Sequence, residues 1–267
     1  MTERERRIEE FLLSLDLTEA SRAYLEHNVQ RFVRTLALVP PPRGNSRVLE
    51  LGAYMHMTPT LACVLGYRDV RGAYFGPLGR SDKRTTTVNG REVFRCTIDQ
   101  FDVERDRFPY GDGAFETVLA CEIIEHLLLD PMHMLTEIHR VLADDGTLVL
   151  TTPNAASYTA VSSVLRQDGN PQLYSQYPDP KSEFRDTEVP HVREYTPGEL
   201  RCCVDAAGFD VETLVTEPLG TVDPRWVEDL LLEHGFPTDD RGELMFCVAR
   251  KRAGKRVTRY PEFLYDG

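Results

Sequence analysis

"FPYGDGAFETVLACEIIEHLLLDPMHMLTEIHRVLADDGTLVLTTPN", residues 108 to 154, carries the strongest fold signal in the chain. Thr117–Cys121 is a β-prone apolar run, Pro131–Leu142 repeats apolar residues at helical spacing, and Thr147–Thr151 is a second β-prone run. Strand, helix, strand in that order is a βαβ crossover, so its two strands lie parallel in one sheet. The same alternation extends upstream, with strands at Arg47–Leu51, Val70–Tyr74 and Val93–Ile98 and a helix at Thr58–Leu65. Downstream, Thr196–Ala207 reads as a helix, with Thr196 as cap, Pro197 in its first turn and Gly208 beyond its end. Strands at Phe209–Thr216 and Glu243–Arg250 flank a further helix near Pro224–His234. The expectation is an α/β fold with a doubly wound, mostly parallel sheet of about seven strands. Asn89-Gly90, between two β-prone runs in TTTVNGREVFR, adds an inserted hairpin.

Residues 1–40 read as an N-terminal helical extension. Ile8, Phe11, Leu12 and Leu15, then Leu25, Val29, Phe32, Val33 and Leu36, repeat every three or four residues, with Asp16 and Thr18 as candidate caps. The run Pro40–Gly44 breaks that pattern, and residues 41–250 form the main domain. Within it, the polar stretch 166–195 is too long for a simple connection and reads as a lid or substrate loop. Residues 251–267 form a basic tail, either a solvated strand end or a patch for an anionic partner.

The composition narrows the function. A net charge of −12 over 267 residues argues against nucleic acid as a partner, because that affinity comes mainly from phosphate neutralisation. No window approaches the roughly 18 apolar residues of a membrane span, and the charged N-terminus lacks a signal-peptide pattern. A cytoplasmic protein, monomer or homodimer, is expected. Six cysteines lack a CxxC pair or Cys/His ligand spacing, so the sequence indicates neither a disulfide framework nor a metal site.

In open α/β sheets, ligands bind beyond the carboxyl ends of the strands, where the strand order reverses. The 108–154 segment resembles the centre of class I S-adenosylmethionine-dependent methyltransferases: a Pro-aromatic turn, a strand, a Glu-His pair, a helix ending Arg-Val-Leu, a Gly turn and a strand ending Thr-Pro-Asn. "HVREYTPGELRCCVDAAGF", residues 191 to 209, is similar to a later segment of some of these enzymes. The resemblance, closest to the type 11 group, implies a Rossmann-like fold, S-adenosylmethionine as cofactor, and methyl transfer to an oxygen or nitrogen of a small-molecule, sugar, or glycan- or lipid-linked acceptor.

It also assigns residues. Glu50 falls near the methionine ammonium and Gly52 where the backbone approaches the cofactor. Tyr54 and His56 occupy the positions of the next two loop glycines, and Tyr74 that of the acid for the ribose hydroxyls. Asp102 and Val103, with Glu104 as the other register for the acid, fall beside the adenine. Cys121 and Glu122 lie where donor and acceptor meet. His126 serves as a general base or as a hydrogen-bonded strut. His191, Arg193 and Tyr195, with Asn154 at the end of the fifth strand, either position the acceptor or pin the long loop, and His191 is a second catalytic candidate. Glu50 as an ion-paired strand end, Asp102 as a turn cap, and Met55 and Met57 as packing residues are the plainer readings. Tyr174 and Tyr177 in the loop suit a polyhydroxylated acceptor.

The altered glycine loop supports a rival function: a methyltransferase-fold protein that has lost its cofactor and acts as a binding or assembly partner. A nicotinamide oxidoreductase ranks last, since the Gly-x-Gly-x-x-Gly fingerprint is absent.

Overall fold

The computed structural model describes residues 1–44, 46–173, 190–219, 225–255, 257–258 and 261–265. Two helices come first. In α1 (Glu3–Ser14), Thr2 and Glu5 form a capping box; in α2 (Glu19–Leu38), the Thr18 side chain accepts from the Ser21 amide. Then follow β1 (Arg47–Leu51), α3 (Met57–Cys63), β2 (Asp69–Tyr74), β3 (Ser81–Val88), β4 (Arg91–Gln100), β5 (Phe115–Cys121), α4 (Pro131–Val141), β6 (Leu142–Pro153), α5 (Tyr158–Arg166), α6 (Pro197–Ala206), β7 (Phe209–Glu217), α7 (Arg225–Glu233) and β8 (Leu244–Lys251).

The eight strands form one sheet in the order β3-β4-β2-β1-β5-β6-β8-β7. Pairings β4-β2, β2-β1, β1-β5 and β5-β6 are parallel, and β3-β4, β6-β8 and β8-β7 antiparallel. Seven strands are those expected; the eighth, β3, is the first arm of the hairpin. Asn89 and Gly90 turn that hairpin with φ of 51° and 72°, the two left-handed residues that a tight hairpin turn requires. Asp16 does not cap a helix. Its carboxylate accepts the turn's Asn89 and Gly90 amides at 3.1 and 2.8 Å, tying the α1–α2 connection to the sheet edge.

Alternating side chains feed two cores, as the strand period of two dictates. Val48, Leu119 and Val149 face Ile8, Leu12, Leu25, Phe32, Leu36, Met57 and Leu61 from α1, α2 and α3. Leu49, Leu51, Val118, Ala120, Leu148 and Leu150 face α4 and α6 through Leu135, Ile138, Leu200 and Val204. The result is three layers, helices on both faces of the sheet, and α1 and α2 form part of one of them.

α5 was not expected; a buried Ser157 at its N-terminus caps it by accepting from the Ala160 amide. The described part of the basic tail is neutralised within the fold. Arg250 pairs with Glu212, Arg252 with Asp145 and Asp210, and Lys255 with Asp205 and Asp210. Among the described residues, no helix is long and apolar enough to cross a membrane.

Candidate active site

The chain winds outward from β1 to β2 and β4 on one side and from β5 to β6 on the other, so the order reverses between β1 and β5. A cleft is expected at their carboxyl ends. A partly enclosed space opens there, lined by Glu50, Gly52, Tyr54, His56 and Met57 after β1, by Cys121, Glu122 and Ile123 after β5, and by Tyr24, Arg31 and Phe32 of α2.

Glu50 is buried, and its Oε2 accepts a hydrogen bond of 2.6 Å from Thr58 Oγ1. Burial raises its carboxyl pKa to about 7, against which Thr58 gives partial relief. Gly52 adopts φ +64°, and a Cβ there would lie 3.3 Å from Ile123 Cδ1, so glycine suits both the turn and the close approach of the β1 and β5 loops.

The two substituted loop positions diverge. His56 turns inward and stacks on Phe32 with ring centroids 5.6 Å apart. Desolvation, with the Arg31 charge nearby, lowers its pKa, so it is held neutral, and its Nε2 is buried without a hydrogen-bond partner. Tyr54 turns outward, 61% exposed, and accepts a 3.0 Å hydrogen bond from the Tyr74 hydroxyl at the end of β2. Met55 packs with Cys96 and Ile98, and Met57 is buried beneath α1 and α2.

On the β5 side, Glu122 has φ 52°, a left-handed conformation rare for glutamate that aims its side chain into the cleft region. It accepts from Thr151 Oγ1 at 2.7 Å and pairs with Arg31 at 3.2 Å. Arg31 also donates to the Tyr24 hydroxyl at 2.9 Å, while its buried Nε has no hydrogen-bond partner among the described residues. The Cys121 thiol is pushed far above its usual pKa by burial and is no nucleophile.

The next turn, Ile124–His126, holds a second polar group. Glu125 is fully buried; Thr152 Oγ1 donates to its Oε2 at 2.8 Å, and among the described residues its Oε1 has no hydrogen-bond partner. Burial, reinforced by the Glu122 charge, raises its pKa well above the carboxylate range. His126 and His191 meet edge to face, ring centroids 4.6 Å apart. The amides of Val192 and Arg193 donate to the Glu125 carbonyl, which docks the incoming segment beside this turn.

The remaining expected residues are not among those lining this space. Asp102 accepts the Glu104 amide at 2.9 Å in the turn after β4, Val103 packs against the core, and Glu104 accepts the Leu129 and Asp130 amides. Asn154 is buried and spends its side chain on the Asp240 and Gly242 carbonyls and the Ala156 amide. Tyr195 lies in the core at 1% exposure. Arg193 pairs with Glu199 at 2.6 Å and lies over the Tyr195 and Phe263 rings. Most of the long loop, including Tyr174 and Tyr177, lies outside the described residues.

Sequence reasoning did not single out Tyr24, Arg31 and Phe32, because the helical pattern of α2 reports its apolar face and not what its polar edge meets. Glu125 was visible only as part of a Glu-His pair.

A search of curated proteins finds no matching sequence. Solved structures share the fold. A chain in the complex of the Haloferax volcanii Trm112 methyltransferase activator with a methyltransferase aligns at 15% identity over 94% of this chain and 99% of its own, with a TM-score of 0.51. A SAM-dependent methyltransferase of Thermotoga maritima aligns at 17% identity over 93% and 98%, with a TM-score of 0.50. One from Archaeoglobus fulgidus aligns at 15% over 86% and 99%, also at 0.50. The family profile described as a methyltransferase domain matches residues 19–214, from the start of α2 into β7. By that match, which takes in the whole cleft from Tyr24 to Ile123, the chain belongs to the methyltransferase-domain family, enzymes that take S-adenosylmethionine as cofactor.

Proposed function

We propose that the chain transfers the methyl group of S-adenosylmethionine to an oxygen of a small hydroxylated acceptor, a sugar or a glycan- or lipid-linked molecule among them. The observation that carries this reading is a cleft at the carboxyl ends of β1 and β5 whose Ile123 leads directly into the turn bearing Glu125 and His126, with His191 packed on His126.

The cleft's own groups fit the cofactor. Glu50 offers a buried acceptor for an ammonium, and Arg31, which lines the space while paired with Glu122, offers a guanidinium that a carboxylate could share. The paired hydroxyls of Tyr54 and Tyr74 stand where an acid usually takes the ribose, and the exposed Tyr54 ring offers an aromatic face. Bound there, the cofactor supplies an electrophilic S-methyl carbon. The chain's part is alignment: Gly52 and Ile123 fix the spacing between the two loops, and Thr151 and Thr152 hold Glu122 and Glu125 in consecutive positions. His126 and His191, the two catalytic candidates, mark the acceptor's side of the cleft. Arg193 supports that side indirectly, by holding the segment that carries His191 against α6. The rival reading, a fold that has lost its cofactor, finds no support in a cleft whose buried polar groups match the ligand's charges.

Calorimetric titration with S-adenosylmethionine should show binding, and labelled-methyl transfer should appear with polyhydroxylated acceptors. No heat at millimolar cofactor would end this reading; label transferred to amines alone would end its oxygen specificity.

A further inference from the structure

We infer that Glu125, His126 and His191 form a site for a divalent transition-metal ion of the zinc class, which coordinates an acceptor oxygen beside the cofactor cleft. The metal site stands on the geometry alone, and the acceptor role rests on the methyl-transfer reading.

Each of the three residues offers one ligand atom, and these atoms lie within 4.8 Å of one another. An ion binding at about 2.0–2.2 Å keeps any two ligands within roughly 4.2 Å, so small side-chain rotations suffice to close the set. His126 Nε2 and Glu125 Oε1 are already 4.0 Å apart.

Glu125 Oε1 supplies an independent reason. It is a carboxylate oxygen in a fully buried residue, with no hydrogen-bond partner among the described residues, although its sister Oε2 is held by Thr152. Leaving such an atom unmatched is costly, and a cation at the cluster would match it.

The outer contacts of the two imidazoles agree. His191 Nδ1 meets Glu194 Oε1 at 2.9 Å, and His126 Nδ1 meets the Pro190 carbonyl at 3.3 Å. An imidazole that donates through Nδ1 keeps its lone pair on Nε2, and such an outer carboxylate or carbonyl is what orients metal-bound histidines. Two imidazoles with one carboxylate favour zinc, iron or nickel over magnesium or calcium.

Three protein ligands leave a position for an exogenous oxygen, as in catalytic rather than structural sites. Glu122 and Ile123 line the cleft, and Glu125 and His126 follow in the next turn. A hydroxyl bound to the ion would therefore lie at the mouth of the cleft with its pKa lowered. The cysteine and histidine spacing hides the site, because His191 arrives on a different segment from His126.

The test uses the full chain treated with EDTA and titrated calorimetrically with zinc chloride, with magnesium chloride as the comparison. One zinc per chain should bind, more tightly than magnesium. Glu125→Gln and the double variant His126→Ala/His191→Ala should abolish binding. Glu194→Gln should weaken it about tenfold, as loss of a carboxylate behind a ligating histidine does. Absence of zinc binding, or equal binding by the double variant, overturns the site. Titration of S-adenosylmethionine into the same samples separates the two readings: cofactor binding by a chain that takes up no zinc refutes only the metal site. Equal methyl transfer by EDTA-treated and zinc-loaded enzyme refutes the acceptor role.

Discussion

At the scale of single residues, Glu50 couples the proposed cofactor site to the stability of the fold. Its folded pKa near 7 lies above the ordinary 4.5, so the stability it contributes is present below pH 4.5 and is lost as the pH rises through about 7. The Glu50→Gln protein should therefore be more stable than the natural chain at pH 8, by something on the order of 3 kcal/mol, and no more stable at pH 4. Thermal melts at the two pH values check this. The same substitution should weaken S-adenosylmethionine binding about tenfold or more through loss of a charged hydrogen bond. Asn154 gives the opposite profile: Asn154→Ala removes the partner of two carbonyls and an amide at a partly buried junction and should cost about 2 kcal/mol in denaturant titrations while sparing cofactor affinity. The sequence shows both residues at strand ends, where an acid or an amide reads as a ligand contact. Burial and partner geometry separate the two, and neither is written in a linear pattern.

Among elements, α2 carries most of what the sequence concealed. Its apolar stripe predicts a helix packed on something, and Phe32 and Leu36 do pack on the sheet. Arg31 on its flank closes the cleft through Glu122, a contact that only the fold brings about. Arg31→Met leaves the largely buried Glu122 charge unpaired and should destabilise the chain by about 3 kcal/mol. Adding Glu122→Gln should restore much of that stability without restoring cofactor affinity, because the carboxylate partner stays missing. Comparison of unfolding and titration data for the single and double variants measures the two effects separately. The βαβ alternation, by contrast, was legible almost strand by strand, since β1, β5 and β6 each serve two cores with alternate residues. The hairpin was legible from Asn89-Gly90 alone, but its anchor was not. Asp16→Ala should speed hydrogen exchange at the Asn89 and Gly90 amides relative to the central strands, as read by NMR.

For the whole molecule, the strand order has a consequence for how the chain is completed. Among the described residues β7 is an edge strand whose one strand neighbour is β8, and β8 follows it in the chain. A chain emerging from the ribosome can assemble the sheet from β3 through β6 in order, but β7 must wait with its ladder unpaired until residues 244–251 insert between it and β6. A chain ending before residue 244 would expose both the outer side of β6 and an orphan β7, two open edges of the kind that recruit other chains. The cleft residues, all within 24–123, are complete long before then. β8 thus adds nothing to the lining of the cleft, and its work is to close two edges at which other chains could otherwise pair.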